Sequence, residues 1–421
     1  MPETIAGPPA WLERSHNFKH LTTVLSTLAK RERDRRAARS TSQHPSKRHR
    51  VAHIASTVQA NPEHVAYYSV AAGSDPDNTP FNRYADILPY DRTRVIVCPG
   101  YHEDSTCGST CQQGRYLNAD WVRELAGGKW WIAMQAPLPQ TVHTFLSSLL
   151  EGVSPPPDPS PPSAAASPQT ANLRRERRIR TVVQLTKDLE SGMRKAHAYF
   201  PPIVGQSWVA EPGSAGGAPI EVTLLRTQTI DAAHCVQSIV RLQPLSSKPS
   251  SPRTHVGEPV LFQHLLYASW PDHGVPAGED RAALLHFAKL VDEANRDLSL
   301  YADTGVAAAG LDPDPPIVAG CSAGVGRTGT FIALCSLLRH YGFLSPSKTR
   351  TDGIETQTPL PESPLGPLPE ELQGDMIAKE IDALREQRPY MVERDDQALM
   401  LYEALVASFA SASDANAKDG A

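Results

Sequence analysis

Ten consecutive residues constrain this chain more than any others: Gly320-Cys321-Ser322-Ala323-Gly324-Val325-Gly326-Arg327-Thr328-Gly329. They follow a short apolar run, residues 316–319 (Pro-Ile-Val-Ala), that predicts a buried strand. They precede a stretch, 328–343, whose apolar spacing predicts a helix. Glycine at this density lets the backbone curl until successive N–H groups aim at one point. The helix that follows adds its positive end. A strand–loop–helix unit of this kind suits a dianionic phosphate. Arg327 would add a planar, two-pronged contact to two phosphate oxygens. Cys321 stands at the mouth of the loop, where N–H groups and a helix end favour a thiolate. A thiolate beneath a phosphorus atom is a nucleophile.

Two other readings of these residue types fail on context. Gly324, Gly326 and Gly329 also satisfy the G-x-G-x-x-G pattern of dinucleotide-binding turns. That pattern needs an acidic residue about twenty positions on, at the end of a second strand. Here that region is a helix end and a Thr/Pro-rich loop. Cys107, Cys111 and His102 hint at a metal, but the spacing is poor and a fourth ligand is missing. No metal and no cofactor are expected.

The rest of the chain mixes strand and helix patterns along its length, which suggests one α/β or α+β domain. Residues 93–98, 130–134, 180–185 and 259–268 are short, apolar and rich in β-formers. Residues 283–296 predict a helix, with Leu284, Leu285, Phe287, Leu290 and Val291 on one side. Residues 374–388 and 395–410 predict two more. Near the start, 9–39 predicts a helix carrying Leu21, Val24, Leu25 and Leu28 and ending in Lys30, Arg31, Arg33, Arg35, Arg36 and Arg39. These charges, with Lys47, Arg48 and Arg50, read as a solvated face and loop; a nuclear-import or acidic-partner patch is the sharper alternative.

Composition matters where it limits the rest. The chain has 38 prolines in 421 residues, nearly twice the usual share, and they concentrate in three stretches. Residues 153–172, 244–258 and 344–370 read as mobile surface insertions. The run at 155–162 could also hold a partner in extended form. A net charge of -5 excludes an overall basic nucleic-acid binder. Six scattered cysteines exclude a disulfide scaffold. The first thirty residues lack a continuous apolar core, and no stretch is long enough to span a bilayer. A soluble protein of a reducing compartment is expected, cytoplasmic with the nucleus as an alternative.

The glycine-rich loop resembles the signature loop of the protein tyrosine phosphatases, and the likeness extends over about 64–408. In the family's order, Asn82-Arg83-Tyr84, Asp86 and Pro89-Tyr90-Asp91 resemble the phosphotyrosine recognition loop. Tyr116-Leu117-Asn118-Ala119 and Ile132-Ala133-Met134-Gln135-Ala136-Pro137-Leu138 resemble two core motifs. Val182-Val183-Gln184-Leu185, Glu190 and Lys195 resemble the loop that braces the site. Residues 270–276, with Trp270, Pro271 and Asp272, resemble the mobile acid loop. Gln387-Arg388-Pro389-Tyr390-Met391-Val392, ending at Gln397, resembles the water-positioning loop.

The resemblance implies a twisted mixed sheet flanked by helices and two-step hydrolysis of phosphotyrosine proteins in signalling. Cys321 would attack phosphorus. Asp272 would protonate the departing phenol, then take a proton from water. The N–H groups of Ser322, Ala323, Gly324, Val325 and Gly326, with Arg327, would stabilise the equatorial oxygens. Thr328 would steady the leaving thiolate. Tyr84 would stack on the substrate ring, and Asp86 would accept from the peptide backbone. The expected organisation is an N-terminal helix and basic extension over 1–55, a catalytic domain over 56–410, and a flexible tail over 411–421.

Two departures bear on activity. The family's histidine before the nucleophile is Gly320 here, which removes one support of the thiolate; restoring histidine should raise turnover near neutral pH. The family's first glutamine of the water loop is Glu393, a carboxylate beside a bound phosphate. Ala136 stands for a usual glycine and Leu146 for a usual tryptophan. An active phosphatase is the primary reading. A catalytically weak pseudophosphatase that binds phosphotyrosine proteins is the alternative.

Overall fold

The computed structural model describes residues 7–42, 61–97, 114–153, 178–213, 216–246, 253–272, 274–301, 311–347 and 360–419. The 155–162 proline run, the Cys107/Cys111/His102 group and Lys47, Arg48 and Arg50 lie outside them. The chain divides into two units, Val95–Trp121 with Trp130–Gly324, and Met1–Arg94 with Val122–Lys129 and Val325–Ala421.

The first unit is built on a mixed nine-stranded sheet. Its strands are β1 (Arg94–Val97), β2 (Arg115–Arg123), β3 (Trp130–Gln135), β4 (Thr181–Gln184), β7 (Ser207–Ala210), β8 (Ile220–Ile230), β9 (Cys235–Pro244), β10 (Val260–Tyr267) and β11 (Ile317–Cys321), in the order β1-β2-β3-β11-β4-β10-β9-β8-β7. The short hairpin β5 (Leu189–Glu190) and β6 (Met193–Arg194) stands apart. β11 lies parallel between β3 and β4, and β4 runs parallel to β10. Ile317, Val318 and Ala319 are buried, as a central parallel strand demands. The other edge is antiparallel, β10 to β9 to β8 to β7. Among the described residues, α2 (Val142–Glu151) and α3 (Glu279–Arg296) serve this unit. Phe145, Leu146 and Leu149 of α2 join Val182, Val222, Val240, Phe262 and Val318 in the sheet's core. On α3, Leu284, Phe287 and Val291 are buried, while Leu285 and Leu290 are only half-buried.

The second unit is helical: α1 (Phe18–Ser42), α4 (Gly326–His340), α5 (Met376–Gln387) and α6 (Asp395–Asp419). A short 3-10 helix, Ala10–His16, precedes α1, so the predicted 9–39 helix is two elements. Helix α6 continues past 410 as far as Asp419.

The basic end of α1 is a solvated face only in part: Lys30, Arg33 and Arg36 are exposed, whereas Arg31, Arg35 and Arg39 are buried. Val24, Leu28, Arg31, Arg35, Ala38 and Arg39 form its buried side. The arginines continue the leucine stripe at helical spacing, and α5 supplies the counter-charges. Arg35 donates to Asp382 at 2.5 Å and to Glu386 at 2.6 Å. Arg31 pairs with Asp382 at 2.9 Å and donates to the carbonyl of Gly366 at 2.8 Å. Arg39 pairs with Glu32 and donates to the Tyr90 hydroxyl. At the described end of 344–370, Ser363 donates to Glu386, and Leu365 packs with Tyr68 and Tyr90. Among the described residues no helix is long and apolar enough to cross a membrane.

Arg35→Leu leaves two buried carboxylates short of a partner, so it should cost about 3–5 kcal/mol in urea unfolding. Lys30→Ala, which removes a largely exposed pair with Asp34, should change stability by less than about 0.5 kcal/mol.

A second buried acid sets a pH dependence. Glu380 accepts from the Leu125 and Ala126 N–H groups, and burial with the nearby Glu124 charge pushes its carboxyl up to about 8 from near 4.5. The folded chain therefore keeps a proton that the unfolded chain has lost. Unfolding releases that proton, so Glu380 stabilises most at low pH and its contribution falls as pH rises from 5 to 8. The slope from this group approaches about 1.4 kcal/mol per pH unit. Denaturation midpoints across that range should show it, and Glu380→Gln should flatten it.

Candidate active site

The loop that ends β11 is shaped by backbone contacts with β3. Ala136 N–H donates to the carbonyls of Cys321 and Ser322 at 3.0 and 3.1 Å. Gly324 has φ +73, and a Cβ there would run into the Met134 carbonyl and the Gln135 amide. Only glycine meets both demands. Gly320 differs: its φ is unremarkable, but a Cβ would come within 3.0 Å of the Met134 carbonyl. A histidine at 320 therefore requires β3 to shift by a few tenths of an ångström, a cost the sequence does not reveal.

Cys321 is 6% exposed, and its Sγ accepts a hydrogen bond from the Gly324 N–H at 3.2 Å. The curled loop thus already directs a backbone N–H at the sulfur. Ser322 Oγ donates to the Lys195 carbonyl at 2.9 Å, fixing the loop against the β5–β6 hairpin region. Lys195 Nζ lies 3.7 Å from Asp272 Oδ1. Glu190 is buried and accepts from the Thr186 hydroxyl and the Lys187 N–H, so it braces its own turn. Trp270 is buried edge-on to Tyr267, which packs on Phe287, anchoring the start of the segment that carries Asp272.

In the helical unit, Val325 is the N-cap of α4, and its side chain makes no cap hydrogen bond. Arg327 is the second residue of the helix and is half-buried. The Thr328 hydroxyl is buried without a hydrogen-bond partner among the described residues. Gln397 is buried, and its Oε1 accepts from the Arg394 N–H. Glu393 is exposed as a residue, yet its carboxylate end is desolvated; together with the Asp86 charge, and against Arg394 and Arg385, this lifts its carboxyl above the usual range. Tyr84 and Asp86 are exposed.

The sequence reading missed what holds the 388–393 turn. Tyr390 and Val392 have φ of 60 and 54, values that non-glycine residues rarely adopt. Buried Arg385 clamps the turn, donating through Nε to the Met391 carbonyl and through Nη2 to the Val392 carbonyl. Val392 N–H donates to Val325 at the start of α4, and a Cβ on Gly329 would strike the Val392 N–H. Arg39 stacks on the Tyr390 ring at 4.5 Å. The available signal was Arg385 falling four residues after Ile381 on the apolar side of α5.

Gly324→Ala combines a left-handed φ with a backbone collision and should destabilise by at least ~3 kcal/mol in chemical denaturation. Gly192→Ala is the control: φ is +76 but nothing lies within 4 Å, so only about 1 kcal/mol should be lost.

Residues 78–152 and 175–343 match the family model described as protein-tyrosine phosphatase. Receptor-type tyrosine-protein phosphatase H of Homo sapiens is 28% identical over 338 residues, covering 80% of this chain and 22% of that protein. Tyrosine-protein phosphatase non-receptor type 18 of Mus musculus is 30% identical over 266 residues, covering 63% and 43%. The chain thus spans less than half the length of either relative. A solved structure described as the structural basis of PTPN18 fingerprint on distinct HER2 tyrosine phosphorylation sites shares the fold, with a TM-score of 0.51 at 20% identity over 81% of this chain and 87% of that one.

Proposed function

The chain belongs to the protein-tyrosine phosphatase family, and we propose that it hydrolyses phosphotyrosine in proteins through a phosphocysteine intermediate on Cys321. The observation that carries this reading is the Cys321 sulfur receiving the Gly324 N–H inside a loop whose glycine cannot be replaced. Backbone amides arranged before substrate arrives lose no reorganisation energy in the transition state.

In the first step the Cys321 thiolate attacks phosphorus. Loop N–H groups and the Arg327 guanidinium take the charge on the equatorial oxygens. Asp272 protonates the phenol oxygen as it leaves, and Lys195 beside it supports the orientation of that carboxylate. Tyr84 stacks on the substrate ring and favours phosphotyrosine over the shorter phosphoserine, while Asp86 accepts from the peptide backbone. In the second step water, positioned by Gln397 and Glu393, displaces the sulfur and gives a proton to Asp272, with the Thr328 hydroxyl donating to the returning thiolate. Phosphotyrosine proteins are the substrate class, and Glu190 and Trp270 act by holding their loops. We assign the catalytic domain to 56–410, with the 1–55 segment contributing α1 to it. The likeness to a non-receptor relative supports a cytoplasmic location.

Wild-type protein should release phosphate from a phosphotyrosyl peptide, with Cys321→Ser at background. Asp272→Asn should lower kcat by about 10²–10⁴ while peptide affinity holds. Peptide binding without turnover in the wild type would instead favour the pseudophosphatase reading, with Gly320 and Glu393 as its cause.

A further inference from the structure

Arg115 begins β2 and His143 stands in the first turn of α2, and both are buried within the sheet unit. Arg115 Nη1 lies 3.0 Å from His143 Nδ1, and His143 Nε2 lies 2.8 Å from the Ala218 carbonyl. A carbonyl only accepts, so Nε2 carries the hydrogen. Nδ1 of the neutral ring is then a lone pair, and it accepts from the Arg115 guanidinium. The same Nη1 donates to the Gly216 carbonyl at 3.4 Å. The two side chains thus hold the connection between β7 and β8 at two of its carbonyls. Gly217 lies against them. Its φ is +111, and a Cβ there would come within 3.4 Å of His143 Cε1 and 3.6 Å of Arg115 Nη1.

A proton on Nδ1 undoes this arrangement. The ring then donates from both nitrogens. N–H faces N–H across 3.0 Å, and a second positive charge meets the guanidinium. Arg115 has another acceptor at hand: Glu151 ends α2, and its Oε1 is 4.0 Å from Arg115 Nη2. We propose that His143 and Arg115 form an acid-opened latch on residues 216–218, in which protonation of His143 turns Arg115 from Gly216 toward Glu151 and frees the segment. The latch is separate from the proposed chemistry and does not depend on it.

The groups around the ring set the direction. Burial, first, and the Arg115 charge hold His143 below the ordinary histidine range, against the Ala218 carbonyl and the Glu211 charge. Glu211 is exposed and paired with Arg253 at 2.6 Å. Glu151 faces Arg115 from the far end of α2. A ring that resists a proton in the closed state and takes one in the open state makes acid the opening condition. The latch is therefore closed above about pH 6.5, where a free histidine is neutral. It loosens as pH falls below that, the open fraction rising by up to about tenfold per pH unit.

The test uses the full chain and nitrogen-15 NMR between pH 4.5 and 8. Three signals should share one midpoint, below that of a free histidine. They are the His143 ring nitrogens, the Gly217 amide shift, which reads the hydrogen bond at the Gly216 carbonyl, and the backbone order parameters of Gly216, Gly217 and Ala218. The last should fall from about 0.85 to about 0.6 or less. Amide shifts of the central strand β11 should hold over the same range, so that the change is local. In His143→Gln, which keeps a donor and an acceptor but cannot titrate, the segment should stay ordered throughout. In Glu151→Gln the opening midpoint should move to lower pH, because the open state loses its counter-charge. A segment that stays ordered while His143 protonates overturns the proposal, as does one that loosens equally in His143→Gln. So does an unmoved midpoint in Glu151→Gln, a ring that stays neutral down to pH 4.5, or a loss of order shared with β11.

Discussion

Two carboxylates on one buried face of α5, Asp382 and Glu386, set the terms for the helical unit. A charge removed from water is costly unless it is paired and hydrogen-bonded on most of its lone pairs. Glu386 is 6% exposed and is met by Arg35, the Tyr68 hydroxyl and Ser363. Asp382 is met by Arg31 and Arg35. These partners come from α1, from the segment before the recognition loop and from the end of an insertion. Satisfying two acids thus fastens three separate stretches of chain to one helix. The same helix presents Arg385 to the 391–392 turn and Gln387 to Arg123. The element that anchors the unit therefore also sets the loop that carries Glu393.

The site in the sheet unit follows a different logic, in which backbone rather than charge decides. β11 is held on both sides by parallel neighbours, so its last residue is delivered to a fixed height. The chain then turns so close to Met134 that residue 324 can carry no side chain. That turn puts a backbone N–H on Cys321 Sγ before any ligand arrives. Tight packing of main chain against main chain is hard to deform, so the Gly324 N–H is held in place on Cys321 Sγ.

Much of this was legible in the residues. β11, β3, β4, β10 and the helices α3 to α6 were visible because their apolar residues repeat with a clean period or form a short buried run. β8 and β9 were not: in β8 Leu224 is buried, while Thr227, Gln228 and Thr229 of its far half are exposed, so neither a strict alternation nor a continuous apolar run emerges. The glycines of the signature loop could be read because their chemistry is local. Glu393 could be read as a departure but not as a neighbour of Gln397 over Gly326.

The sequence by itself determined the family and the glycine-rich turn around Cys321, since each is a short-range pattern whose physics is complete within about ten residues. Only the tertiary structure decided the fate of the charges. Arg31 and Arg35 look like solvent-facing residues of a basic helix, and they are interior because Asp382 and Glu386 arrive from 351 residues away. Whether a charged side chain is buried depends on where its counter-charge lies in space, and no local pattern records that position.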